Sequence, residues 1–319
     1  MMGEKLVSIL VPLYNGERYI KHALTSILNQ TYKNLEVVIS DNDSTDNSVA
    51  VVNSFKDPRI RLIRNPANTG AEENWNKTLK EACGAYIKMM GCDDLLHPAC
   101  IEKQVAILDD TQHRDIGLVS CSRHIINSSS RIIMTRAFGR KSGRVNGRTA
   151  IKEIIRSGTN PVGEPLAGLF RASMRDEIGY YRTTSHNPHK AECIAIKHEG
   201  FHVWRYAPDT TRADTMQKLM PKRVEKTFQG SYAIDVDYWV RILARKDLYV
   251  IKEPLCSFRI SPNSWSSQIG RRQLKEFIQF IKLTAKENPG YVTGVDALIG
   301  QIRCCINVML RVMVFRLYA

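Results

Sequence analysis

No stretch of this 319-residue sequence is long and apolar enough to cross a bilayer as a helix. A spanning helix needs about 20 apolar residues, and the longest late run, Cys304 to Leu310, is closed off by Arg303 and Arg311. The first apolar run, Leu6 to Leu13, is short and strand-like, so no signal peptide is expected to open the chain. Its eight cysteines include no CxxC, and apart from Cys304-Cys305 they are scattered singly. That excludes a disulfide framework in a chain this long and predicts reduced thiols in a cytosolic compartment. There is no internal repeat and no low-complexity tract. Acidic residues are the scarce charge, 32 Asp+Glu against 46 Lys+Arg, for a net charge of +14. The excess is uneven, with 13 Lys+Arg and 5 Asp+Glu from Arg241 onward. Such a balance points either to a solvated basic face or to an anionic partner: nucleic acid, a phosphate-bearing substrate or an acidic membrane surface. No nucleic-acid module or ordered basic–aromatic repeat accompanies the charge, so no nucleic-acid partner is expected.

The hydrophobic fraction of 43% is enough for a substantial core. Leu6–Leu13 (LVSILVPL) reads as a strand buried on both faces, broken by Tyr14-Asn15-Gly16. Alternating predicted elements follow: helix 17–30, strand 35–40, helix 48–55, strand 59–64, helix 74–82 and strand 85–90. This β-α-β-α-β-α-β order predicts an α/β fold with a mainly parallel sheet and helices on both faces. Further on, a helix is expected from His97-Pro98 to Leu108 and a strand over 116–121. A hairpin or mobile loop is expected over 128–148, and a loop leading into a strand over 163–170. A short helix over 235–245 should bury Trp239 and Leu243, followed by strands at 249–251 and 256–260. An amphipathic helix over 271–286 should bury Leu274, Phe277, Ile278 and Ile281, and the last 28 residues read as helix studded with Arg.

Ligands of open α/β sheets bind at the carboxyl ends of the strands. Four polar clusters fall there: Tyr14-Asn15, Asp41-Asn42-Asp43, Asn68-Thr69-Gly70 and Asp93-Asp94. Asp93-Asp94 offers two hard oxygen ligands for Mg²⁺ or Mn²⁺, or else an N-cap pair for the next helix. Asp41, Asn42, Asp43 and Asp46 suit hydrogen bonds to a base or ribose, or turn and capping chemistry. Asp235 and Asp237, two apart at a helix start, point differently: one carboxylate can face a cleft as a proton acceptor while the other caps, or both can cap.

Together these segments resemble the family 2 glycosyltransferases, which have the GT-A, nucleotide-diphospho-sugar transferase fold. The resemblance rests on VSILVPLYNG (7–16), SILNQTYKNLEVVISDNDSTD (26–46), NPANTG (65–70), GAYIKMMGCDDLLHP (84–98) and IDVDYWVRI (234–242), with VGEPLAGLFR (162–171) and IKEPLCSFRISPNSWS (251–266) as later support. It implies a Rossmann-like GT-A domain over 1–270 and a basic helical extension over 271–319. It implies a nucleotide-sugar pocket lined by Pro12, Tyr14, Asn15, Asp41, Asn42 and Asp93, and a divalent metal (Mn²⁺ or Mg²⁺) on Asp94 and Asp93. Asp235 becomes the general base, and Glu164, Arg259 and Trp265 belong to donor or acceptor loops. The implied reaction is an inverting transfer of one sugar from a nucleotide-diphospho-sugar to a hydroxyl of a glycan or lipid-linked acceptor in envelope or surface polysaccharide synthesis. The protein would then be cytoplasmic, with its basic tail against an anionic membrane as a peripheral protein.

The chain departs from the family pattern in places. Gly91 stands where an Asp often opens the metal motif, Asn42 where a second Asp is common, and Ile234 where a Glu often precedes the base. The Gln-x-x-Arg-Trp motif of processive synthases is absent, which implies one sugar per acceptor. An atypical insertion, 184–230, precedes Asp235 and carries His186, His189, Cys193, His198 and His202. Three readings stay open for it: an acceptor-binding lid, a zinc site of no common spacing, or an insertion that impairs catalysis and leaves a binding protein.

Overall fold

Strand β1 (Val7–Leu13) lies at the heart of the protein because its side chains are apolar on both sides. Val7, Ile9, Val11 and Leu13 face one hydrophobic layer, and Leu10 faces the other. The chain then alternates as the sequence predicts: α1 (Ile20–Leu28), β2 (Leu35–Asp41), α2 (Ser48–Ser54), β3 (Ile60–Arg64), α3 (Ala71–Lys80) and β4 (Tyr86–Met89). β1 pairs in parallel with β2 and β4, and β2 with β3. The computed structural model describes residues 4–182, 194–198, 201–205, 233–261 and 270–318.

Next come β5 (Leu95–Leu96), α4 (Cys100–Asp109), a 3₁₀ turn (Thr111–His113), β6 (Ile116–Ile126), β7 (Ile132–Arg136), β8 (Gly143–Val145) and α5 (Gly147–Ser157). A second 3₁₀ turn (Pro165–Ala167) leads into β9 (Gly168–Arg171) and α6 (Ala172–Ile178). After the antiparallel pair β10 (Ile194–His198) and β11 (Phe201–Arg205), the chain continues with α7 (Ile234–Leu243), β12 (Asp247–Arg259), α8 (Gly270–Glu287) and α9 (Gly294–Tyr318). The large sheet runs β3-β2-β1-β4-β9-β6-β12-β5, with β7 beside β6 and β8 beside β12. β6 and β12 are parallel, while β9 is antiparallel to both of its neighbours, β4 and β6. Helices α1, α2 and α4 cover one face; α3, α5, α7, α8 and α9 cover the other. The expected α/β architecture with a mostly parallel sheet is therefore present.

Several local expectations change. The stretch 128–148 is not one hairpin: β7 pairs with β6 and β8 with β12. Helix α5 goes unforeseen, although Asn146 caps it by accepting from the Arg148 N–H at 3.2 Å and Gly158 ends it at φ 63°. The two short strands at 249–251 and 256–260 are one strand, β12, whose register slips around Pro254 because proline has no N–H to pair. On α8 the buried partner of Phe277 is Phe280, with Ile278 only partly covered.

The chain divides into two units, 1–184 with 230–319 and 185–229, and β10 and β11 are the described parts of the second. The readings placed on the 184–230 insertion, lid, zinc site or impairment, lie outside the residues whose side chains are described.

Candidate active site at the carboxyl edge of the sheet

Strand register brings the predicted clusters together. Leu13 lies opposite Asp41, and Asp41 opposite Arg64, so β1, β2 and β3 end level. The chain leaves β1 at Tyr14, whose ring is half-exposed, and turns at Asn15 with φ 48°. The Asn15 N–H donates to Ser44 Oγ at 2.9 Å, and Asn15 Oδ1 accepts from the Thr45 N–H at 2.8 Å. Asp46 accepts from the N–H groups of Glu17 and Ser48, so it holds the turn. Pro12 sits half-buried opposite Ser40.

Asp41 and Asn42 end β2 in different roles. Both are buried, yet among the described residues Asp41 Oδ1 receives no hydrogen bond. Asn42 is saturated. Its Nδ2 donates to Asn68 Oδ1 and to the Gly70 carbonyl, and its Oδ1 accepts from Asn65 Nδ2, the Thr69 N–H and the Thr69 hydroxyl. One amide thus fastens the loop between β3 and α3.

Asp93 and Asp94 follow β4 but do not cap α4, whose N-cap position is Ala99. Asp94 is buried; its Oδ2 accepts from the Gly91 N–H at 3.2 Å and its Oδ1 from the Arg259 N–H at 3.0 Å. Burial pushes the Asp94 carboxyl well above the usual carboxylate range, and Asp93 beside it adds repulsion. Burial raises Asp93 as well, opposed by the Arg259 charge. Arg259 braces this turn from β12: its Nε donates to the Asp93 carbonyl, its guanidinium to the Asn127 carbonyl and Ser130 Oγ, and it stacks 4.4 Å from the Tyr19 ring.

Gly91 explains itself geometrically. A Cβ there would lie 2.8 Å from Asp93 Oδ1 and 2.9 Å from Asp94 Oδ2, so both carboxylates converge on the space a side chain would fill. Two hard oxygens around a small cradle fit a Mg²⁺ or Mn²⁺ that completes its shell with water and phosphate oxygens. Among the described residues no cluster of three or more His, Cys, Asp or Glu is arranged to hold a metal alone.

Asp235 and Asp237 stand in the first turn of α7, whose N-cap position is Ala233. Asp237 pairs with Arg182 and, at 2.9 Å, with Arg241. Asp235 accepts from Asn160 Nδ2 at 2.9 Å and from the Val236 N–H at 2.7 Å. Burial lifts its pKa to about 7, with repulsion from Glu164 adding to the rise and the two donors moderating it. Glu164 itself is clamped by buried Arg123. Burial alone would raise the Glu164 carboxyl, but the Arg123 and Arg136 charges outweigh it and hold the group below its ordinary value. Because Glu164 repels both Asp94 and Asp235, it stands electrostatically between the two acidic centres.

The Glu164 loop is fixed from beneath. Buried Lys88 donates to the Leu166 and Gly168 carbonyls, Gln104 to the Ala167 carbonyl, and Trp239 Nε1 to the Gly163 carbonyl at 2.9 Å. Asn160 closes the loop on itself, donating to the Gly163 carbonyl and accepting from its N–H. Asn160, Arg123 and Arg136 escape the sequence reading. Arg123 leaves a trace there, as a charge inside the otherwise apolar strand SCSRHII. Trp265 lies outside the described residues.

The family model described as Glycosyl transferase family 2 matches residues 8–173, just over half of the chain. The chain belongs to this family. Among curated relatives, an uncharacterized glycosyltransferase of Haemophilus influenzae is 38% identical over 106 residues, 33% of this chain and 42% of that protein. The Escherichia coli UDP-Glc:alpha-D-GlcNAc-diphosphoundecaprenol beta-1,3-glucosyltransferase WfgD is 36% identical over 129 residues, 40% of this chain and 50% of its own. The chain thus spans half or less of the length of these two relatives. Staphylococcus aureus TarS, solved with UDP-GlcNAc, superposes with a TM-score of 0.58 at 15% identity, over 87% of this chain and 66% of that one. The Pyrobaculum calidifontis mannosyltransferase PcManGT, solved with GDP-Man and Mn²⁺, superposes at 0.53 and 15% identity, over 97% and 76%. At that identity the likeness is one of fold, and the fold of this family member is GT-A.

Proposed function

We propose that this family 2 member transfers a single sugar, with inversion, from a nucleotide-diphospho-sugar to a hydroxyl of a lipid-linked or surface glycan acceptor. The observation that carries the reading is Asp235: a carboxylate at the α7 start, oriented by Asn160, with a pKa near 7. Among the described carboxylates of this region it stands without a guanidinium partner, whereas Glu164 has Arg123 and Asp237 has Arg182 and Arg241. A group titrating near 7 is ionised often enough to accept a proton and basic enough to keep it.

In the proposed step the acceptor oxygen bonds to the anomeric carbon while the bond from that carbon to the phosphate oxygen breaks. The nucleoside diphosphate leaves with the bonding electrons, and the acceptor proton goes to Asp235. No protein nucleophile is required, so the chain's tasks are alignment, a base and charge stabilisation. Tyr14 and Pro12 would flank the nucleotide, and the unsatisfied Asp41 Oδ1 would accept from its base or ribose. A Mn²⁺ or Mg²⁺ bound by Asp94 and Asp93 would neutralise charge on the departing diphosphate. WfgD's name, with its diphosphoundecaprenol acceptor, supports an envelope glycan as the product class.

The test is release of nucleoside diphosphate from a panel of nucleotide sugars, with Mn²⁺ or EDTA, by wild type and Asp94→Ala. Metal-dependent turnover of one donor that disappears in the variant is the expected result. Equal turnover in EDTA, or an unaffected variant, would remove Asp93 and Asp94 from the reaction.

A further inference from the structure

Helix α9 is apolar on two opposite faces, and the protein covers one of them. On the covered face, Ala297 and Cys304 join the core. Gly300 lets α9 approach α5 so closely that a Cβ there would lie 2.1 Å from the Ile155 carbonyl oxygen. Asn307 Nδ2 donates to the Ser157 carbonyl at 2.9 Å, and Asp296 pairs with Arg156 at 2.7 Å. The helix is therefore fixed in place. On the other face, Val295, Leu298, Ile302, Ile306, Met309 and Leu310 are each 50–65% exposed. Their spacing of three and four residues makes one continuous stripe. A helix apolar all round is ordinarily covered all round.

We propose that this stripe docks on an anionic lipid bilayer. The charge decides between occupants. From Ala297 to the end the sequence has three Arg and no Asp or Glu. Arg303 is exposed beside the stripe, and Arg148 is exposed on the neighbouring α5. Apolar residues flanked by cations, with the acid of the helix, Asp296, buried against Arg156, suit insertion between acidic headgroups. Pairing of two copies through the same stripe would instead bring like charges together, in a protein of net charge +14.

The covered face of α9 is also linked to the loop that holds the proposed base. Asn307 of α9 is bonded to Ser157, and three residues later Asn160 is bonded to Asp235. A bilayer under α9 would thus lie on the side of the protein where α5 runs into the Asn160–Glu164 loop. It would present a lipid-linked acceptor toward that loop. This last step rests on the sugar-transfer reading; the docking itself does not.

The experiment is flotation of the full chain, without donor, with vesicles of phosphatidylcholine alone or with phosphatidylglycerol added. Wild type should bind the anionic vesicles, and raised salt should weaken the binding. The triple variant Leu298→Gln, Ile302→Gln, Ile306→Gln should lose binding by about tenfold or more while keeping its thermal transition and its acceptor-independent donor hydrolysis. Should the triple variant not fold, Ile302→Glu alone serves the same comparison. Wild type that ignores anionic vesicles overturns the proposal, as does a folded variant that binds like wild type. A concentration-dependent dimer abolished by the triple variant, with no vesicle binding, would assign the stripe to self-association instead. Loss of donor turnover with vesicle binding intact would count against the catalytic reading alone.

Discussion

At the β1–β2 edge the site is shaped by backbone. The turns after Leu13 and Asp41 are pinned by N–H groups of Asn15, Thr45 and Glu17 bonding to side chains a strand away. Around α7 the site is shaped by side chains reaching across long sequence distances. Asn160 meets Asp235, and Arg123 meets Glu164. The two regions consequently differ in what a substitution does. On the β1–β2 side a lost side chain loosens a loop that strand pairing still places. On the α7 side it changes the charge or aim of the proposed base. Donor affinity should therefore respond to the first region and the rate of the chemical step to the second.

The largest effect that would test this contrast is Asp235→Asn. It keeps the shape and removes the basicity, so kcat should fall about 10³-fold, while donor binding measured by calorimetry stays within a few-fold. In wild type, kcat should be half-maximal near pH 7, level off on the alkaline side and fall with acid, because the proposed base acts in its ionised form and its pKa is about 7. Donor affinity that collapses in Asp235→Asn would erase the division between the two regions.

Asn160→Ala sharpens it. The lost N–H donor stabilises the ionised Asp235, while burial and Glu164, which oppose ionisation, remain. The acidic limb should move to higher pH, and kcat at pH 7 should drop about tenfold. A merely structural role for Asn160 would lower kcat without moving the limb. Asn160→Asp should do worse, placing a second carboxyl against Asp235.

The same contrast explains which parts could be read from the residues alone. β1 to β4 and their helices follow from continuous apolar runs and helical spacing, and the four polar clusters sit at strand ends where the βα order puts them. Asp93, Asp94, Asp41 and Asp235 are each flagged by a local motif. Asn160 is not, because its importance comes from a partner 75 positions away. The split of 128–148 between two partners depends on β12, far along the chain, which takes β8 while β6 takes β7. No local pattern carries that pairing. Asn42 is a middle case: the residue is conspicuous, but the five contacts that occupy its amide are visible only in three dimensions.

Those contacts set the smallest effect, at Asn42→Asp. The family pattern that the chain resembles has a second Asp here, which would make the change look conservative. In this chain the Asn42 Nδ2 faces two acceptors, Asn68 Oδ1 at 2.9 Å and the Gly70 carbonyl at 3.3 Å. A carboxylate cannot donate to either, so Asn68 keeps only the Gly70 N–H and the Gly70 carbonyl only the Asn74 N–H, while a negative charge enters the buried position of Asn42. Oδ1 would keep its donors from Asn65 and Thr69. The net cost should be about 1–3 kcal/mol of stability, read from denaturant midpoints. KM for the donor should rise several-fold because the 65–70 loop is fastened to Asn42 of the proposed nucleotide pocket, while kcat at saturating donor stays near wild type. A fall in kcat with KM unchanged would mean that this loop acts on the chemical step, and the division between a binding edge and a reacting edge would have to be redrawn.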